Sequence, residues 1–244
     1  MRYLLTLSYI GKNYSGWQSQ KNQNTVQSVV EKALSQVLGE QIKIHSAGRT
    51  DEGVHAIGQT AHFDSKKEFK PFSIAQATNL LLPSDVSITN VQIVDSTFHA
   101  RKSAKAKTYL YKLYVSSSRN AYLDTTHSQI YKMPNVELMQ SEANCLVGIH
   151  DFSAFNSTGS TSNSNVKEIY SIQVKSCPEN VIEIHVRGNA FLYNMMRIIV
   201  GTLVQVGLGK LPQGTVQKML KTGNRKLGGK TFPPQGLCLL NVEY

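Results

Sequence analysis

Cysteine, acidic residues and long apolar runs are all scarce in this chain, and each scarcity closes a route. The three cysteines, Cys145, Cys177 and Cys238, are odd in number, far apart and free of C-x-x-C spacing, so neither a disulfide framework nor a zinc site is supported. No apolar run reaches the ~20 residues needed to span a bilayer. The first residues, M-R-Y-L-L-T-L-S-Y, alternate as a strand does and lack a signal-peptide core, which points to a cytoplasmic protein with no membrane partner. Asp and Glu number only 16 against 26 Lys and Arg, a net charge of +10. That imbalance favours a polyanion, because each neutralised phosphate releases counterions; nucleic acid leads and a membrane surface trails.

What is present suffices for a packed core: 41% of the 244 residues are hydrophobic, ordinary for a globular chain that needs no staples. Tyr3, Leu5, Leu7 and Tyr9 recur with period two and predict a first strand. Val26, Val29, Val30, Ala33, Leu34, Val37 and Leu38 recur at helical spacing. Asn24 with Gln27 offers that helix a capping box and Gly39 a stop. Strands near 41 to 46 and 57 to 63, a helix from Pro71 to about Leu82 and a strand from Val86 to Val94 complete a βαββαβ order. The second half repeats it, with a strand at Lys107 to Val115, a helix at Val136 to Val147 and strands near 169 to 175 and 181 to 187. Helices from about Phe191 and Thr215 and a strand from Leu237 to Val242 close it. The expected fold is α+β, two tandem ferredoxin-like halves at 1–104 and 105–244, of the architecture also used by RNA recognition motifs. The polar stretch from Asn156 to Asn165 reads as a mobile surface loop.

Among residues able to carry chemistry, Asp51 stands out, on a glycine-bracketed turn G-R-T-D-E-G two residues after Arg49. A lone Asp-x-Gly is commonly an Asx-turn; the company of Arg49 and His55 favours a functional role. Glu52 beside it reads as a solvated rim charge, since adjacent turn residues point apart. Arg197 is the single charge in the apolar run Phe191 to Val206, sharing a helical stripe with Asn194, Gly201 and Gln205. A buried guanidinium needs a partner; an ion pair, a snorkelling side chain and a functional role all fit. Tyr109 and Tyr111 share one face of a strand, where sheet packing is the ordinary reason for such a pair. Basic residues cluster at Arg101, Lys102, Lys105 and Lys107, at Lys66, Lys67 and Lys70, and at Lys221, Arg225, Lys226 and Lys230. Three clusters in so basic a chain favour phosphate contact over a merely solvated face. The segment G-N-R-K-L-G-G-K-T misses phosphate-loop spacing by one residue and follows a helix. The absence of H-x-E with P-C-x-x-C argues against a zinc deaminase.

Six ordered segments together resemble the tRNA pseudouridine synthase A family. They are Y-I-G-K-N-Y-S-G-W-Q at 9 to 18, G-R-T-D-x-G-V-H-A at 48 to 56 and F-H-A-R-K-S-A-K-A-K-T-Y-L-Y at 98 to 111. H-D-F-S-A-F at 150 to 155, F-L-Y-N-M-M-R-I-I-V-G at 191 to 201 and Q-G-L at 235 to 237 follow. The resemblance implies an isomerase that converts uridine to pseudouridine in the anticodon stem-loop of tRNA, at tRNA positions 38, 39 and 40, without metal or cofactor. It also implies a homodimer with a catalytic cleft between the two halves of each chain. On this resemblance Asp51 is the catalytic aspartate; a carboxylate there can stabilise charge on the sugar, trap it covalently or take the 2′ proton. Arg197 pairs with it and keeps it ionised. Tyr109 stacks on the uracil and serves removal of the C5 proton, while Arg49 helps extrude the nucleotide. Leu237 forms an apolar wall, and Arg101 and Lys107 join the RNA contacts. Glu52, Thr108 and Ile198 depart from the family pattern. Two rivals stand beside this reading: a non-catalytic RNA-binding protein of two ferredoxin-like modules, which lacks their K/R-G-F/Y-G/A-F-V signature here, and a synthase acting on another RNA.

Overall fold

Period-two alternation at the N-terminus becomes β1 (Arg2–Tyr9), with Tyr3, Leu5, Leu7 and Tyr9 all buried. The computed structural model describes residues 1–159 and 162–244. Two compact units emerge, Met1–Lys105 with Cys238–Tyr244, and Ala106–Leu237.

In the first unit β1 lies between β3 (His55–Asp64) and β4 (Val86–Val94), antiparallel to both, with Leu5 opposite Ala61 and Val91. The far edge of β3 carries β2 (His45–Ser46), antiparallel through His62 and Ala61. The resulting order β4-β1-β3-β2, with helices α1 (Val26–Leu38) and α2 (Pro71–Asn79) in the connections, is a ferredoxin-like α+β arrangement. Helix α1 starts one residue later than its sequence signal. Its capping box joins Thr25 and Ser28, because Asn24 donates to the Asn13 carbonyl and the Gln27 amide is engaged by Gln18 and Glu31. Gly39, at φ 66°, ends it. Strand β2 is shorter than the predicted 41 to 46, since side chains of α1 satisfy that backbone: Ser35 Oγ accepts from Ile42 N and Glu31 Oε1 from Ile44 N. Helix α2 begins with Pro71 in its first turn and stops at Asn79, whose amide bonds both backbone groups of Ile88 instead of continuing to Leu82.

The second unit is built on β5 (Ala106–Val115), β8 (Val166–Cys177) and β9 (Val181–Gly188), with β9 antiparallel to both others. Two strands too short to show a period are added: β6 (Ser128–Ile130), parallel to β5, and β7 (Gly148–Asp151), antiparallel to β8. Helices α3 (Val136–Asn144), α4 (Met195–Gly207) and α5 (Thr215–Thr222) pack among themselves and against this sheet. The last strand, β10 (Leu237–Glu243), pairs parallel with β3, Cys238 with His55 and Leu239 with Ala56. Of the polar segment at 156–165, residues 160 and 161 lie outside the described residues.

Candidate active site

Asp51 belongs to a turn whose backbone is fastened at several residues. Gln59 Nε2 donates to the Gly48 carbonyl at 2.9 Å, Tyr9 Oη and Thr50 Oγ1 share a 2.8 Å bond, and Trp17 N donates to the Thr50 carbonyl at 3.0 Å. Val54 N closes the turn on the Asp51 carbonyl at 3.1 Å, with Gly53 at φ 76° in its third position, the place where a type II turn needs glycine. Two more glycines permit close approach. A Cβ on Gly11 would stand 2.0 Å from the Val54 carbonyl oxygen, and one on Gly16, itself at φ 83°, 2.9 Å from that of Thr50. His55 is buried and its Nδ1 accepts from Gly11 N at 3.0 Å. Burial pushes the Tyr9 phenol well above its ordinary range, so it remains a neutral hydroxyl. The result is a half-buried carboxylate residue on a rigid turn, flanked by Arg49 and Glu52, both exposed.

The 9 to 18 segment, read from sequence as strand end and loop, is therefore the backing of this turn. Tyr9 and Trp17 support the turn through Thr50, a role that residue-by-residue reading missed; their signal was the pair of glycines at 11 and 16.

Within the second unit, Tyr109 sits on β5 opposite Val186, only 8% exposed, its ring edge-on to Phe191 at 4.9 Å. Tyr111, two residues on, is fully buried and shares a hydrogen bond with Ser128 while donating to the Pro233 carbonyl. Arg197 is half-buried in the first turn of α4. Its Nε donates to the Phe232 carbonyl at 2.6 Å and its Nη1 to Asn194 Oδ1 at 2.7 Å, while Phe232 N returns a bond to the Arg197 carbonyl. Asn194 occupies the left-handed region at φ 59°, a conformation asparagine tolerates. Its Nδ2 donates to Ser157 Oγ at 3.1 Å. The H-D-F-S-A-F segment supports this end, burying Phe152 and Phe155 completely just before Ser157. Asn194 and Phe232 thus orient the guanidinium, roles with no signal in the sequence beyond the shared stripe of Asn194 and Arg197.

Elsewhere, Leu237 is 5% exposed, Lys107 half-buried and Arg101 exposed. Lys66, Lys67, Lys70, Lys102, Lys105, Lys221, Lys226 and Lys230 are also exposed, as phosphate contacts require. Arg225 is half-buried, and desolvation lowers its pKa from the usual arginine value. Of the departures, Thr108 pairs across the sheet with Arg187 and Ile198 is buried in α4.

A family model described as tRNA pseudouridine synthase matches residues 6–101 and 143–244. The chain belongs to the tRNA pseudouridine synthase family. The matched blocks include the Asp51 turn with its backing segment, and Arg197 with Leu237; Tyr109 lies between them. A tRNA pseudouridine synthase A of Ruminiclostridium cellulolyticum is 45% identical over 240 residues, 98% of each chain. One of a Thermoanaerobacter species is 40% identical over 244 residues, 99% of this chain and 98% of that one. A solved archaeal box H/ACA sRNP Nop10-Cbf5 complex is a more distant likeness, with TM-score 0.41 and 10% identity over 84% of this chain and 43% of that chain.

Proposed function

We propose that the chain isomerises uridine to pseudouridine in the anticodon stem-loop of tRNA, with Asp51 as the catalytic residue. The observation that carries this reading is the fastened G-R-T-D turn, which holds a half-buried carboxylate residue near an exposed arginine and lies against Gly11 and Gly16, where a Cβ would stand 2.0 and 2.9 Å from the Val54 and Thr50 carbonyl oxygens. The bond between uracil N1 and ribose C1′ breaks, the base turns, C5 bonds to C1′, and the C5 proton leaves as N1 gains one. Atoms and electrons balance, so the isomerisation consumes no oxidant or reductant.

Asp51 acts on the sugar, where cleavage builds positive charge. Arg197, oriented by Asn194 and Phe232, keeps that carboxylate ionised; Tyr109 stacks on the uracil; Leu237 gives the base an apolar wall. Arg49 helps extrude the nucleotide, because a stacked base cannot reach a carboxylate otherwise. Arg101, Lys107 and the other basic clusters grip phosphates, reading tRNA shape more than sequence. The enzyme works in the cytoplasm as a homodimer, and sedimentation as a monomer at working concentration would remove that part of the reading.

Mapping modified positions tests reaction and site together, by carbodiimide labelling of tRNA incubated with the purified protein. New pseudouridine confined to the anticodon stem-loop is expected. Modification elsewhere would assign another target, and none at all would refute the activity.

A further inference from the structure

A second fastened turn lies in the first unit, at residues 99–103, and it presents cations instead of a carboxylate. Three successive backbone N–H groups there end on imidazole nitrogens. Ala100 N donates to His62 Nδ1 at 3.2 Å, and Arg101 N and Lys102 N donate to His99 Nδ1 at 3.2 and 3.4 Å. The turn closes on itself, Ser103 N to the His99 carbonyl at 2.8 Å and His99 N to Ser103 Oγ at 3.1 Å. Tyr244 Oη holds the Ala100 carbonyl at 3.0 Å and shares a 2.6 Å bond with Thr60 Oγ1. Arg2 ties down the approach, donating to the carbonyls of Ser96 and Phe98 while its other nitrogens grip Asp64.

His62 is buried at 2% exposure on β3, and the rings of His45 and His99 lie 5.1 and 4.7 Å from it. Such a trio invites a metal reading, but Nδ1 of both His62 and His99 is already spent on backbone. Among the described residues no group of three or more His, Cys, Asp or Glu is arranged to hold a metal ion. What emerges into solvent is the pair Arg101 and Lys102, both exposed. Holding two adjacent cationic residues on so constrained a backbone gains the fold little, since exposed charges stabilise it only weakly. Their fixed backbone lowers the ordering cost of gripping a charged ligand.

We propose that His62 and His99 are positioning residues for tRNA binding, whose Nδ1 atoms fix the 99–103 turn so that Arg101 and Lys102 meet adjacent RNA phosphates. The inference rests on the tRNA reading above and adds to it the device that sets these two contacts.

The test compares His99→Leu, which removes the acceptor, with His99→Asn, whose side-chain oxygen stands where Nδ1 was. KM and kcat on tRNA, the salt dependence of tRNA binding, and hydrogen exchange at the Arg101 and Lys102 amides are measured on the full chain. His99→Leu should raise KM roughly tenfold, with most of the loss in KM, and make the salt slope shallower by about one. Its two amides should exchange faster, and His99→Asn should recover most of the affinity. His62→Asn, which also keeps an acceptor, should behave like His99→Asn. Wild-type KM and salt slope in His99→Leu, or an equal defect in His99→Asn, would overturn the proposal. Binding and turnover are read separately, so its failure is distinct from failure of the catalytic reading. A wild-type chain that binds tRNA with these variant effects yet makes no pseudouridine contradicts the reaction and supports the turn. One that makes pseudouridine while His99→Leu binds normally contradicts the turn alone.

Discussion

His62 links chemistry to stability most directly of any single residue. Its pKa falls from the ordinary 6.5 to about 4, chiefly through burial, then through the charges of His99, Arg2 and His45, with Asp64 opposing. His99 is lowered as well, first by burial and then by Lys102 and His45. The folded chain therefore keeps His62 neutral while the unfolded chain takes up its proton near pH 6.5. The stabilising contribution is full above 6.5 and is lost as pH falls from there to about 4. The depressed carboxylates of Asp64, Asp95 and Glu40 lose their contributions as pH falls from the ordinary carboxylate range toward their lowered values. Melting curves should show the wild type losing stability between pH 6.5 and 4 more steeply than His62→Asn. Parallel curves would contradict the neutral, buried imidazole.

At the scale of elements, α4 depends on a glycine. A Cβ on Gly201 would lie 1.9 Å from the Lys230 carbonyl oxygen, so the segment through Phe232, which holds Arg197, packs here only against a bare backbone. Gly201→Ala should cost about 1–3 kcal/mol by overpacking and lower activity with it, as the Phe232 carbonyl moves from the guanidinium. Denaturant melts and turnover measured together check this; a variant of unchanged stability would refute the contact.

Elements with a long, clean period were legible in the sequence. β4 occupies the predicted Val86 to Val94, and α1 ends at Gly39 as its glycine signals. Those that departed were decided by side chains from distant positions. Glu31 and Ser35 take the backbone N–H groups of Ile44 and Ile42, Asn79 turns to Ile88, and β6 and β7 are too short to carry a pattern. The residues singled out for the site and for the 99–103 turn divide the same way. Asp51, Arg49 and Arg197 showed themselves as charges in unusual company, whereas Tyr9, Asn194, Phe232, His62 and His99 act through hydrogen bonds that no spacing encodes.

For the whole molecule, a net charge of +10 and three largely exposed basic clusters favour a polyanion, and membership of the tRNA pseudouridine synthase family names its class. The ferredoxin-like order of the first unit and the mixed α+β order of the second carry no chemistry by themselves, since the same kind of architecture serves silent RNA binders. The proposed function rests on the candidate site, and within it on Asp51. Forming the C5–C1′ bond must expel the C5 hydrogen, so tRNA labelled with tritium at uracil C5 reports the reaction itself. The wild-type chain should release label to water, and Asp51→Asn should release none while binding tRNA within a few-fold of wild type, because this residue adds no phosphate contact. Release by Asp51→Asn at the wild-type rate would contradict the account.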